Sequence, residues 1–322
     1  MSTLSLPQHL VRWQGRLRLP LVAAPMFLVS GVDLVVAACR VGVIGAFPTI
    51  NCRTADELDD WLARIVARLD LHEQTSGRAA APWCANLVVH PSNPRLGDDL
   101  RVLCRHRPEL VITSVGDPTP VLEPLHEAGA WVWSDVSSLH HARRAATAGV
   151  DGLVLLTAGA GGQTGHLNPL AFVRAVRAFY DGPLVLGGGI ADGVALRAAQ
   201  VLGCDMATMG TRFIATRESL ASDDYRSMLV ASSADDILLT RAFTGLPANF
   251  LRPSIVAAGL DPQALPAQPP PDAARDLDPR NPQSAFRRWK DLWSAGHSVS
   301  GVMAIGSVAD LVDELAAQYL AA

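Results

Sequence analysis

The sequence predicts an α/β fold, a (β/α)8 TIM barrel with a C-terminal helical extension over the barrel mouth. Three observations carry this. Eight short apolar runs alternate with helix-like segments at intervals of about 20–25 residues. The runs are continuously apolar, as in parallel strands buried on both faces. Eight such units are two more than an open doubly wound sheet usually holds, and such a sheet carries GxGxxG after its first strand, where this chain reads APMFLVSG.

The runs are 21–26, 41–47, 83–89, 110–115, 131–136, 152–157, 183–189 and 206–213. Residues 19–50 are conspicuously apolar, but Pro25, Asp33 and Arg40 break them into strand, helix and strand, which excludes a membrane span. Helical patterns fill 54–69, 97–106, 118–128, 138–148, 168–180 and 191–202. The fifth of these is preceded by a clear start signal, Asn168 as N-cap and Pro169 at the first helical position. Residues 1–213 thus form the barrel core, and 214–322 an elaboration of the same domain. Within it 216–232 reads as a helix, and 240–260 is mixed. Seven prolines crowd 262–283 into an irregular connection, and 284–297 and 307–321 resume helical periodicity. Long insertions near a barrel mouth often cover the site.

Composition narrows the function. Apolar residues are 49% and charged residues 18%, so the chain buries a large core. A net charge of −4 without a Lys/Arg block gives no basis for nucleic-acid or anionic-membrane partners. The five cysteines are dispersed and never spaced as CxxC, which argues against disulfides or zinc and fits a reducing cytoplasm. No secretory signal pattern opens the sequence.

Ligands of such barrels sit at the C-terminal strand ends. That selects Met26, Asn86, Ser134, Asp135, Gly187, Gly188, Gly189, Gly210 and Thr211. The glycines after runs seven and eight fit a phosphate cradle, since backbone N–H groups there can converge on an anion. The richest stretch is GAGGQTGH (159–166), which places Ala160, Gly161 and Gly162 beside Gln163, Thr164 and His166. It lacks the Gly-Lys-Ser/Thr of a P-loop, and Thr164 stands where a Rossmann fingerprint has its third glycine. His166 lies just before a helix N-terminus, which disfavours imidazolium and suits a general base. His140 and His141 read as surface residues. His297, in LWSAGH near Trp289 and Trp293, either reaches the mouth from the tail or is an exposed helix-end residue. Asp151 and Asp205, in matching turns before strands six and eight, face the stability end of the barrel and read as structural.

Taken in order, APM, Asn86, AGAGG, GGGIADG and GCDMATMGTRFIATRES resemble the nitronate monooxygenase (2-nitropropane dioxygenase-like) flavoenzymes. FTGLPANFLRPSIVAAGLDP and WKDLWSAGH look like one bacterial branch of that family. The resemblance implies FMN, with its phosphate on Gly188, Gly189, Gly210 and Thr211 and its ring near Ala24, Pro25, Met26 and Asn86. It implies oxidation of alkyl nitronates or nitroalkanes with O2 to a carbonyl compound and nitrite. It leaves room for a homodimer. One departure matters: where the family has a histidine base, this chain has Gln163, which cannot accept a proton at neutral pH. Either His166 supplies the base from a shifted position, with Gln163 a hydrogen-bonding partner of substrate, or the enzyme oxidises only pre-ionised nitronates or performs different chemistry. Ser134 likewise stands where some relatives carry a basic or bulkier group. The alternatives are an NAD(P)H-using enoyl-thioester reductase on the same scaffold and a non-catalytic flavin- or phosphate-binding barrel.

Overall fold

The computed structural model describes residues 8–265 and 291–322. Strands β1 (Leu21–Ala23), β2 (Ile44–Pro48), β3 (Trp83–Val88), β4 (Leu110–Ser114), β5 (Trp131–Val136) and β6 (Gly152–Leu156) follow one another around the barrel. After a two-residue strand outside it, β7 (Gly162–Gln163), the strands β8 (Leu184–Gly187) and β9 (Met206–Met209) complete the ring. All eight barrel strands are parallel, and β9 pairs back on β1 with Val22 beside Thr208, so no edge remains. The barrel expected from the apolar runs is the barrel observed.

Helices α1 (Val32–Arg40), α2 (Ala55–Ser76), α3 (Leu96–His106), α4 (Thr119–Glu127), α5 (Leu139–Ala148), α6 (Pro169–Arg177) and α7 (Gly193–Leu202) link successive barrel strands. Local chemistry sets their ends. Thr54, Ser138, Asn168 and Asp192 accept N-terminal backbone N–H groups, and Gly77, Gly149 and Gly203 close α2, α5 and α7 in the left-handed conformation.

Two cores result. Val22, Ile44, Cys84, Ile112, Trp133, Val154, Val185 and Met206 fill the barrel, with Leu10 and Trp13 closing one end. A larger apolar layer lies between strands and helices. Because strand side chains alternate, residues sharing parity with the first set point inward.

The last segment differs from expectation. The eighth run ends at Met209, and the chain turns at once into the short helix α8 (Thr211–Ile214). Helix α9 covers only Asp223–Val230 of the expected 216–232, started by the Ser222 cap. The mixed region holds β10 (Ile237–Thr240), β11 (Ala248–Leu251) and α10 (Arg252–Ala257). Strand β11 pairs antiparallel with both β10 and β7, which places a small sheet beside the glycine loop. The C-terminal helix (Val308–Ala321) does not lie over the mouth. It packs against α7 and α1 and completes the ring of helices, with Tyr319 Oη donating to Gln200 Oε1 at 2.5 Å. Of the helix expected at 284–297, residues 284–290 fall outside the described residues. Residues 291–296 are not helical, and a short 3-10 turn begins at His297. Most of the proline-rich connection, 266–283, also lies outside them.

Asp151 and Asp205 play matching structural roles. Each carboxylate accepts a backbone N–H from the first two residues of the strand before it, Val132 at 2.7 Å and Leu184 at 2.8 Å. Asp205 is also paired with Arg177 at 2.5 Å, and both side chains are mostly buried. Arg177 further donates to the carbonyls of Gly182 and Gly203. Replacing Arg177 by Met leaves the buried Asp205 carboxylate with only His9 and the Leu184 N–H as partners, and we expect a loss of ~3 kcal/mol, read by denaturant unfolding.

Candidate functional site

Four pieces of chain meet at the C-terminal ends of the strands. The first follows β1. Ala24 is tied to β9 by its N–H on Met209 O at 3.0 Å. Ser30 Oγ donates to Ala24 O and accepts from Met26 N, both at 3.0 Å. Buried Asn51, from the turn after β2, donates to Met26 O and Ser30 O and accepts from Leu28 N. This network holds Ala24, Pro25 and Met26 as a rigid, partly exposed ledge. Sequence reading named the ledge but missed Ser30 and Asn51, whose role depends on contacts made only in the fold.

The second piece is the uppermost inward layer of the barrel. Asn86 continues the inward parity of Cys84, and its Oδ1 accepts from Ser114 Oγ at 3.1 Å. Asp135 continues the parity of Trp133 and is half-buried; burial pushes its carboxyl from the ordinary 3.8 up to about 7. Thr208 continues the parity of Met206, and its Oγ1 is buried without a partner among the described residues. Ser134 shares parity with Val132 and Val136, which belong to the outer apolar layer. It is buried against the helices, so of the two neighbours only Asp135 reaches the mouth.

The third piece is the glycine loop after β6. Thr157 locks its base, donating to Gly187 O through both N and Oγ1 at 2.9 Å. Thr164, buried, donates to Thr157 O at 2.9 Å and folds the loop back over the strand. Asn249 of β11 donates to Ala160 O at 2.8 Å. Gly162 and Gln163 pair with Asn249 and Ala248, and the Gln163 side chain is exposed. His166 is also exposed, and its imidazole has no hydrogen-bond partner among the described residues.

The fourth piece faces the third. Gly188 (φ +120°) and Gly189 (φ +76°) adopt backbone angles that L side chains avoid, and a β-carbon on Gly189 would project into open space. The N–H groups of Gly188, Gly189, Gly210 and Thr211 find no acceptor among the described residues. Thr211 Oγ1 accepts Gly296 N–H at 2.9 Å, which leaves the hydroxyl hydrogen free to donate elsewhere. Arg212 is not part of this cradle, because its guanidinium is spent on Ala191 O, Gly301 O and Glu314.

The tail supplies what sequence reading left open. Residues Ala295 and Gly296 are buried against the glycine loop: a β-carbon on Gly161 would lie 2.7 Å from Gly296 N, and one on Gly296 would lie 2.5 Å from Gly159 O. The next residue, His297, donates its N–H to Gly159 O at 2.9 Å.

Unsatisfied amides at two glycine turns, an orphaned Thr208 hydroxyl and a rigid ledge fit a phosphate-bearing planar cofactor. Among the described residues no group of His, Cys, Asp and Glu is arranged to hold a metal ion, and no helix is long and apolar enough to cross a membrane.

A family model described as nitronate monooxygenase matches residues 15–318. A nitronate monooxygenase of Paraburkholderia phytofirmans is 28% identical over 281 residues, covering 76% of each chain. An octahydroindene-carboxyl-CoA dehydrogenase of Mycobacterium tuberculosis is 26% identical, covering 74% of this chain and 64% of that one. Among solved structures, a nitroalkane oxidase from Streptomyces ansochromogenes aligns with a TM-score of 0.78 at 25% identity, covering 98% of both chains. FabK from Thermotoga maritima aligns at 0.79 with 22% identity, covering 98% and 97%; at that identity it speaks for the fold alone.

Proposed function

The chain belongs to the nitronate monooxygenase family and is a flavin-dependent oxidoreductase, and from that premise we propose that it binds FMN and oxidises alkyl nitronates or nitroalkanes. The products are a carbonyl compound and nitrite. The observation that carries the reading is the paired glycine cradle with four unsatisfied N–H groups above a closed barrel.

Gly188, Gly189, Gly210 and Thr211 hold the phosphate through backbone N–H groups and the Thr211 hydroxyl. Ala24, Pro25 and Met26 on the ledge, with Gly187, Asn86 and Asp135 at the inward strand ends, would hold the ring. Ala160, Gly161 and Gly162 would form the opposite wall, backed by Ala295 and Gly296 of the tail packed against Gly161. Bound FMN would supply the redox chemistry between substrate and O2. The protein's own part is to orient substrate over the ring and exclude bulk water. Gln163, exposed on β7, offers an amide donor to a nitro group or carbonyl.

A second reading is the reduction of an enoyl thioester with NAD(P)H. Gln163 favours it, since an amide suits a thioester carbonyl and cannot deprotonate a carbon acid. One set of measurements separates the two. Purified protein should be yellow, release FMN on denaturation, and liberate nitrite from propyl-2-nitronate in air. Absence of nitrite with rapid anaerobic bleaching by NADH or NADPH would favour the reductase. Size-exclusion chromatography of the same sample checks the homodimer.

A further inference from the structure

Resting on the nitroalkane reading above, we propose that His297, from the C-terminal tail, is the residue that takes the proton from a neutral carbon-acid substrate. The need arises at Gln163, which has no basic nitrogen. Of the nine histidines, six are hydrogen-bonded to acidic or serine side chains. His140, His166 and His297 remain without such a partner among the described residues. His140 opens α5 beside His141, with the two rings 6.1 Å apart. His166 is exposed and begins the passage into α6.

The imidazole of His297 instead lies on the glycine loop. A β-carbon on Gly159 would fall 2.9 Å from His297 Nδ1 and 3.1 Å from its Cγ. Gly159 itself sits at φ +97°, so a bare backbone there both satisfies the turn and makes space for the ring. The backbone that carries the ring is anchored. The His297 backbone N–H is bonded to Gly159 O at 2.9 Å, Gly296 N–H to Thr211 Oγ1 at 2.9 Å, and Ala295 is fully buried. Gly296 thus links the phosphate cradle to the loop, and the next side chain lies against Gly159 of that loop. His297 remains exposed, and no carboxylate or cation is paired with it among the described residues. A solvent-reachable imidazole on anchored backbone, lying against the glycine loop, suits a general base.

In the step assigned to it, the α C–H bond of a nitroalkane breaks and the proton moves to an imidazole nitrogen. The electron pair stays on carbon and delocalises onto the nitro oxygens, giving the bound nitronate. No electron is transferred in this step, so no oxidant enters it.

The test uses holoenzyme whose flavin has been reduced with dithionite under argon, so that proton transfer is read without oxidation. Exchange of the α-hydrogens of nitroethane for deuterium in D2O is followed by NMR. His297→Gln should slow enzyme-dependent exchange by ~10²-fold or more, while His166→Ala stays within ~2-fold of the parent. Both variants should keep their flavin spectrum and oxidise pre-formed ethyl nitronate in air within ~3-fold of the parent. His297→Asn gives a second variant should the first fail to fold. Unchanged exchange in the His297 variants overturns the proposal. So does an equal loss on nitronate, which would mark His297 as structural, or a parent enzyme that exchanges nothing. Exchange by the parent without nitrite from nitronate would instead remove the nitronate reading and leave His297 as the base of another carbon-acid reaction.

Discussion

Gly165→Ala is expected to abolish most activity while leaving the barrel folded. The new β-carbon would overlap the carbonyl oxygen of Leu156 and lie 3.0 Å from its carbonyl carbon. Leu156 closes β6, whose backbone is paired on both sides, to β5 and β8, so the strand cannot yield. The loop must lift instead. Lifting breaks the bond from Thr164 Oγ1 to Thr157 O and pulls Gln163 off its pairing with Ala248. Overpacking of this kind costs ~1–3 kcal/mol. A displacement of ~1 Å at a reacting centre costs ~10²-fold in rate. Steady-state kinetics with nitronate, alongside thermal unfolding, reads both effects. Gly97→Ala is the control: no atom lies within 4 Å of its β-carbon, and it sits in the first turn of α3. That variant should be as active as the parent and equal or slightly higher in stability. Full activity in Gly165→Ala would show that the loop does not carry substrate.

Asp135→Asn should change the pH dependence of stability. The unfolded carboxyl ionises near 3.8, while in the folded protein it holds its proton to about 7. Between those values the native state binds more protons than the unfolded chain, so stability falls as pH rises. The stabilising difference is complete below the lower value and gone once pH has passed the upper one. The slope is at most ~1.4 kcal/mol per pH unit, giving up to ~4 kcal/mol over the interval. Asparagine cannot ionise, so the variant should match the parent near pH 4 and unfold at a higher temperature near pH 8. Equal pH profiles for parent and variant would mean that Asp135 is solvated at the mouth and titrates as an ordinary carboxyl.

The glycine loop shows how far the sequence could be read. Its place after the sixth strand follows from the GLVLLT run and the Asn168–Pro169 helix start, both local signals that the structure reproduces. Its partners follow from nothing local. Asn249 lies 89 residues from Ala160, the residue whose carbonyl it holds, and no spacing rule in FTGLPANF announces that bond. The pairing of β7 with β11 is equally hidden, because two residues are too few to show an alternation. The same limit explains the tail. Helical periodicity in 284–297 is a propensity, and contacts with Gly159 and Gly161 hold Ala295 and Gly296 out of a helix, the chain turning into a short 3-10 segment only at His297.

Ser134 and Asp135 mark another boundary. Both stand at the end of a strand that is apolar on its two faces, so the pattern names the strand but not its phase. Closure of the barrel sets that phase, sending Trp133 and Asp135 inward and Ser134 toward the helices.

By itself the sequence determined the barrel, the Asn168 cap of the sixth helix, the two glycine turns and the family, because each is written in contiguous residues whose backbone preferences act locally. Only the tertiary structure decided which side chains share the mouth. It set the inward Asp135, the Asn51 and Ser30 brace, the ring-completing C-terminal helix and His297 on Gly159. Each of these joins segments distant in the chain, and the packing that brings them together is a property of the closed fold, not of any stretch of residues within it.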